Sequence, residues 1–447
     1  MTNLDAPMTK PHTPMTDPGA PAHHPARTAL RAELRHGVAP WTGPAVALTL
    51  LVVLWGRAAQ WQGSWGETQS LLHSASALLG GPLVAAAACW QGGREHRRRT
   101  AELLLSVPRS RLAQTMTAAT PVMLWSAAGY LFALAVAFAA TAPYAGAGGP
   151  SVPVIAADLG FLLSIGFVGF VVGRLVRWRL IAPLLAVCAY VGLGFPAYLE
   201  SQAQFLSPAK DVQLEGSVPV WWFAPVLVAW TGGIAVTVLL AYAARRRHLA
   251  VVPLALAAVA GAVVVHTGED LYRDDPSVTR EVCTAAAPGA PQICVYASES
   301  PVLPQMSEAL KGMFSRLEGV PGAPVRYVDS RSGPKNGEAA LAHVSRGWGI
   351  ARDRLTDPHR YVSETALGLV NRDCSAGAQG KDRKEGERAA RTQDAVVVWL
   401  SGEDSPWYPN SPYLARLRAM PDADRKVWLG RFLAVPERCT PAQVPVL

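Results

Sequence analysis

The sequence predicts an α-helical polytopic membrane domain of about seven transmembrane helices, followed by a small extracytoplasmic α/β domain. Three observations carry that expectation. Half of the 447 residues are hydrophobic and only 17% are charged, whereas soluble globular chains carry about 25%. The net charge is +8, yet residues 268–447 hold 23 Lys+Arg and 23 Asp+Glu, so the whole basic excess lies in the hydrophobic part. Four of the six cysteines fall in the neutral part. A nucleic-acid binder would concentrate its positive charge on a polar domain, so the location of the charge excludes that class.

Residues 1–26 are rich in Pro, Thr, His and Ala and read as a disordered cytoplasmic tail. No apolar core follows a charged start, so a cleaved signal peptide is not expected. Residues 27–40 place Leu30 and Leu34 beside Arg31, Glu33 and Arg35 at helical spacing. That pattern gives an amphipathic helix lying on the membrane surface or, equally, a charged stop before the first span.

Crossing a bilayer takes about 20 mainly apolar residues. Seven segments qualify or come close: 41–60, 71–91, 115–141, 153–173, 180–199, 219–243 and 249–266. Arg94, Arg97, Arg98, Arg99, Arg109 and Arg111 follow the second segment. Arg174, Arg177 and Arg179 follow the fourth, and Arg245, Arg246 and Arg247 the sixth. The intervening connections at 61–70, 142–152 and 200–218 hold a single basic residue, Lys210. Basic loops stay in the cytoplasm, which sets the N-terminus inside and, after seven spans, the C-terminal domain outside. The Ala, Arg, Gly and Pro bias points to a bacterial cell membrane.

Cys283, Cys294, Cys374 and Cys439 then lie in an oxidising compartment, where an even number favours disulfides. Three pairings are open; Cys283–Cys294 with Cys374–Cys439 is favoured, the first as a local loop. A zinc site competes, but no pair has tight C-x-x-C spacing. Within 268–447, strands are expected at 292–298, 324–330 and 395–400 from their Val and aromatic content. Helices are expected at 304–317, 362–371, 413–420 and 423–433, with 376–393 a solvated loop or exposed helix.

The most informative stretch is REHRRRTAELLLSVPRSR, residues 94–111. Thr100 can cap a helix, Glu102 complements its dipole, and Leu103, Leu104 and Val107 share one face. Pro108 ends the helix. A helix so short is marginal alone, so it needs a surface: anionic lipid, which accounts for the arginines, or a protein partner, which accounts for Glu102 and the leucines too.

Here the chain resembles permease subunits of type-2 ATP-binding-cassette exporters. These carry an E-x-x-x-x-T-x-E-L-L-x-S-x-P-x-[ST]-R-like segment between their first two helical hairpins. Glu95, Thr100, Glu102, Leu103, Leu104, Ser106, Pro108, Ser110 and Arg111 stand in those places. Arg99 departs from the family's small residue before the threonine. The resemblance covers about residues 27–245 and implies several things. Residues 94–111 would be a coupling helix seated in a groove of a cytoplasmic ATPase subunit, residues 27–40 a connecting helix, and 200–218 the extracellular element. The chain would pair as a homodimer or with a second permease, and ATP-Mg would sit on the partner ATPase. The seventh span and the outer domain are additions to the family plan.

Absences agree with this reading. There is no G-x-x-x-x-G-K-[ST] phosphate cradle, so ATP must be hydrolysed elsewhere and no cofactor or metal is expected on this chain. His343 and His359 lack an H-E-x-x-H context, and Ser363 and Ser401 lack G-x-S-x-G. Asp158, the acid within a predicted span, is a candidate for the transport path or an interfacial residue. Gly166, Gly169 and Gly173 line one span and suit close helix packing, within the chain or at a dimer seam. The competing function is a membrane-anchored sensor or assembly protein whose outer domain binds a ligand.

Overall fold

The computed structural model describes residues 34–35, 37–98, 110–199, 201–212, 214–286, 289–374, 381–402 and 411–447. Among them, six helices are long and apolar enough to cross a membrane, consistent with a multi-pass membrane protein. They belong to a bundle of α1 (Ala39–Gly56), α2 (Trp65–Gly92), α3 (Arg111–Thr141), α4 (Val152–Leu175), α5 (Ile181–Ala197), α6 (Phe223–Ala243) and α7 (Val251–Thr267). The last of the six runs comprises α7 and its flanking turns, Arg247–Leu271. The exception is α5, only 17 residues long, so the predicted segment 180–199 yields a shorter apolar helix than its neighbours. Residues 1–26 and most of 27–40 lie outside the described residues; Leu34 and Arg35 form a helical turn.

The bundle helices are apolar on every side. Their outward faces expose Leu48, Val52, Trp55, Phe132, Val187, Val252 and Val259, which water would not tolerate but hydrocarbon would. Helix α4 is central, packing on α2, α3 and α6, while α1 packs on α3, α5 on α2 and α7 on α6. In α2 the regular helix loosens into a π-helical turn over Ser76–Gly80, a feature that often accompanies functional positions.

Beyond α7 the chain forms a small sheet-containing region. Strands β1 (Ser217–Pro219) and β2 (Tyr272–Asp274) pair antiparallel and tie the loop before α6 to the exit of α7. A four-stranded sheet follows, in the order β3 (Glu281–Cys283), β4 (Gln292–Tyr296), β5 (Arg326–Val328) and β6 (Glu338–Ala340). Its β3–β4 pair is antiparallel and the other two are parallel. Helix α8 (Leu303–Leu317) makes the β4–β5 crossover. It buries Met306, Leu310, Met313 and Leu317 at helical spacing against Ile293, Val295 and Tyr327. Helix α9 (Pro358–Val370) starts on Asp357, which accepts from Arg360 N.

One strand expectation is corrected. Residues 395–400 lie inside α10 (Lys381–Ser401), as do residues 381–393 of the charged stretch. The Val-rich run continues an apolar face begun upstream, because Ala389, Thr392, Val396 and Leu400 are all buried and recur at the helical period. Short helices α11 (Pro412–Ala419) and α12 (Asp422–Leu433) complete the region. Both favoured disulfides are present, Cys283–Cys294 and Cys374–Cys439, leaving Cys89 and Cys188 as free thiols. The one cluster of metal-ligand type among the described residues is Glu281, Cys283 and Cys294. Its sulfurs are spent in a disulfide, which removes the zinc alternative there.

Candidate functional site

Three polar centres lie along the bundle: one at each end and one inside. At the end bearing the arginines, α2 runs through a short turn, Arg94–Arg98, towards the stretch singled out by sequence. Glu95 forms an ion pair with Arg174 at the C-terminus of α4, and His96 Nε2 lies 2.8 Å from the Arg174 carbonyl. The root of the connection is thereby fastened to the central helix. Arg97 lies 4.1 Å above the Trp90 ring and donates to the Trp90 carbonyl at 2.5 Å. Arg94 approaches Gly37 at the entry to α1. On the far side of the connection, Ser110 caps α3 by accepting from Ala113 N, so Arg111 opens that helix. Arg98 closes the described turn, whereas Arg99, Thr100, Glu102, Leu103, Leu104, Val107 and Arg109 lie outside the described residues. Arg177, Arg179 and the run Arg245–Arg247 are exposed at the ends of α4 and α6.

Inside the bundle, Asp158 does not reach an interface. It is 2% exposed and has two buried partners: His73, 5% exposed, from α2 and Tyr130, fully buried, from α3. His73 Nδ1 lies 2.5 Å from one carboxylate oxygen, and the Tyr130 hydroxyl donates to the other at 2.7 Å. Each carboxylate oxygen thus has its own partner, and three helices meet at one charge. The next residues of α2 continue the network, since Ser74 donates to Asp211 at 2.8 Å and Ser76 to the His73 carbonyl at 2.9 Å. An apolar cavity of about 500 Å³ between α4, α5 and α6 is lined by Phe161, Ser164 and Trp230 among others, with no member of this triad. Asp158 is therefore a buried cross-link of the helices. Sequence alone flagged Asp158 but missed His73 and Tyr130, which lie 85 and 28 residues away; a histidine in an apolar run was the available signal.

The glycines of α4 have a defined neighbour. A side-chain carbon at Gly169 or Gly173 would overlap the carbonyls of Ala85 and Cys89 on α2, and one at Gly166 would meet Met123 and Val84. The stripe lets α4 and α2 of the same chain approach closely, which is the intrachain packing among the two expectations.

The opposite end is covered by the sheet-containing region. Gly63 (φ +102°) sits against the Arg352 carbonyl, where a side chain has no room. Arg352 Nε donates to Gln62 at 2.6 Å, and Ala147 N donates to the Ala297 carbonyl at 3.3 Å. Beneath this contact the bundle's own loops are closed by Gln69, which both donates to and accepts from Ser151 at 2.7 and 2.8 Å. Arg331 gathers the acids here. It lies 2.5 Å from Glu299, 2.8 Å from Asp329 and 3.9 Å from Glu215 of the loop before α6. Arg346 adds a second cation 3.8 Å from Glu215. Burial pushes the Glu299 carboxyl up to about 7 despite the neighbouring Arg331. For Asp329 burial is outweighed by the hydrogen bonds and charge of Arg331, which hold its carboxyl below the ordinary range.

Compared with protein family models, with characterised proteins and with solved structures, the chain matches none.

Proposed function

We propose that this chain is the membrane-embedded permease subunit of an ATP-binding-cassette exporter, driven by a separate cytoplasmic ATPase that docks on residues 94–111. The observation that carries the reading is the fastening of that connection to α4 through Glu95, His96 and Arg174. A partner that moves the connection moves the helix against which α2, α3 and α6 all pack. Coupling between distant sites requires such a rigid element with more than one arrangement. The Arg-rich end would face the cytoplasm, α5 would serve as a seventh span, and the disulfide-bearing region would lie outside. Two copies, or this chain and a related permease, would enclose the path and expose it alternately to each side. No covalent chemistry on this chain is needed.

In this reading Arg94, Arg97, Arg98 and Arg99 orient the ATPase with Glu102, while Leu103 and Leu104 enter its groove. The cap of the sheet-containing region over the bundle's other end favours one further reading. A sensor whose outer domain binds a ligand would use the same contacts, Gly63 to Arg352 and Glu215 to Arg331, to transmit occupancy. The two separate experimentally. Replacing Glu102 and Leu103 together abolishes co-purification of the ATPase if the chain is a permease, and leaves ligand binding by the outer region untouched if it is a sensor.

A further inference from the structure

The two disulfides of the sheet-containing region sit in different surroundings. Cys374 and Cys439 are both buried, 5% and 7% exposed. Cys283 and Cys294 face each other directly across the antiparallel β3–β4 pair. Cys294 is 1% exposed on the inner strand, whereas Cys283 is half-buried on β3, the edge strand of the sheet. The guanidinium group of Arg326, on β5, lies against this second bond. Its Nε donates to Cys294 Sγ at 3.2 Å, and its Nη2 lies 3.8 Å from Cys283 Sγ. Nη1 donates to Glu338 at 2.9 Å and Nη2 to Glu281 at 2.6 Å. The two carboxylates fix the group at both ends, so its Nε–H is the donor directed at sulfur.

We propose that Cys283–Cys294 is a thiol–disulfide exchange site of fixed polarity, attacked at Cys283 by a dithiol protein, with Cys294 as the leaving group. Exchange depends on which sulfur can be reached and on how well the departing thiolate is stabilised. Access selects Cys283. The Nε–H of Arg326 selects Cys294, because a neighbouring arginine favours the thiolate and a hydrogen bond strengthens when its acceptor becomes charged. The Glu281 carboxylate, within 4.8 Å of both sulfurs, is engaged by Arg326 Nη2. The partner's thiolate attacks Cys283 Sγ, the bond between the two sulfurs breaks, and Cys294 leaves with the electron pair as a thiolate. The partner's second thiolate then attacks its own sulfur in the mixed disulfide and releases Cys283, which takes a proton from water. Two electrons pass to this chain, and the partner ends as a disulfide. Strand β3 then loses its covalent tie to β4 and keeps its backbone pairing.

The test uses the full chain in detergent, exposed briefly to reduced glutathione. The reaction is quenched with a maleimide under denaturing conditions and mapped by peptide mass spectrometry. The trapped mixed disulfide should carry glutathione on Cys283 and maleimide on Cys294. The opposite labelling, or an equal split, would overturn the polarity. Under dithiothreitol, Cys283–Cys294 should open about tenfold faster than Cys374–Cys439, because attack requires access. Equal rates would overturn the site. Arg326→Gln should slow opening of Cys283–Cys294 about fivefold and leave the rate at Cys374–Cys439 unchanged. An unchanged rate at Cys283–Cys294 would overturn the leaving-group assignment. If that variant fails to fold, the labelling pattern and the two rates of the wild-type chain still decide the proposal.

Discussion

At the covered end of the bundle, polar groups find partners within the chain: Gln69 on Ser151, Thr68 on Thr141 at 2.7 Å, Arg331 on Glu299 and Asp329. At the other end, Arg177, Arg179 and Arg245–Arg247 stand exposed, and Glu95 is committed to Arg174. The first arrangement is closed and the second is open. An internally satisfied end holds a shape, and an end with surplus charge of one sign recruits something of the other sign. On the proposed reading, structural roles lie near the sheet-containing region and partner binding near the arginines.

The contrast is broken or sharpened most strongly at Asp158. Asp158→Ala strands His73 and Tyr130 without their shared acceptor. Removing one member of a buried charged cluster costs about 3–5 kcal/mol, so the melting temperature of the purified protein should collapse or the protein should fail to accumulate. A change within error would show that the triad does not hold the helices together.

Next come the disulfides, both at the covered end. Cys374–Cys439 spans 65 residues and Cys283–Cys294 spans 11. Chain entropy makes the longer closure worth about 1.6 kcal/mol more. Replacing each pair by serine should lower the melting temperature further for Cys374/Cys439, and the reverse order would show that native-state packing outweighs loop length there.

A smaller effect follows from Glu299. Its folded value, about 7, lies above its ordinary 4.5, so between those values the folded state keeps a proton that the unfolded state releases. Stability from this group is present below about pH 4.5 and is lost as pH rises towards 7. The lowered Asp329 acts oppositely, and its contribution is lost only as pH falls through the acid range. The melting temperature should decline by several degrees from pH 5 to pH 8, and Glu299→Gln should flatten that decline. An unchanged slope would place the titration elsewhere.

The smallest effect belongs to the open end. Arg177→Gln with Arg179→Gln should alter stability within about 0.5 kcal/mol, because these side chains are exposed. A large loss would mean that this end is as closed as the other.

Much of this architecture was legible in the sequence, for physical reasons. Apolar runs near 20 residues have few alternatives to a spanning helix, and alternation of basic connections reports which helix ends lie together. Cysteine number pointed to disulfides, and the short separation of Cys283 and Cys294 favoured the pairing that is present. The Val-rich run at 395–400 misled because β-branched residues favour strands only when their neighbours do not extend a helical face, and Ala389 and Thr392 extend one. The Asp158 triad was only one-third legible, since its partners come from other helices. The junction of Arg331 with Glu215, Glu299 and Asp329 left little local pattern, being assembled from three separate loops and turns.

The central claim, that the open end couples the bundle to an ATPase, is tested most directly by co-purification. The full chain, tagged, is expressed with a candidate ATP-binding-cassette ATPase from the same genome, and the ATPase retained on the tagged chain is quantified. The wild type should retain it stoichiometrically, and Glu102→Ala with Leu103→Ala should reduce retention at least tenfold while leaving the melting temperature unchanged. Undiminished retention by the double variant would contradict the account.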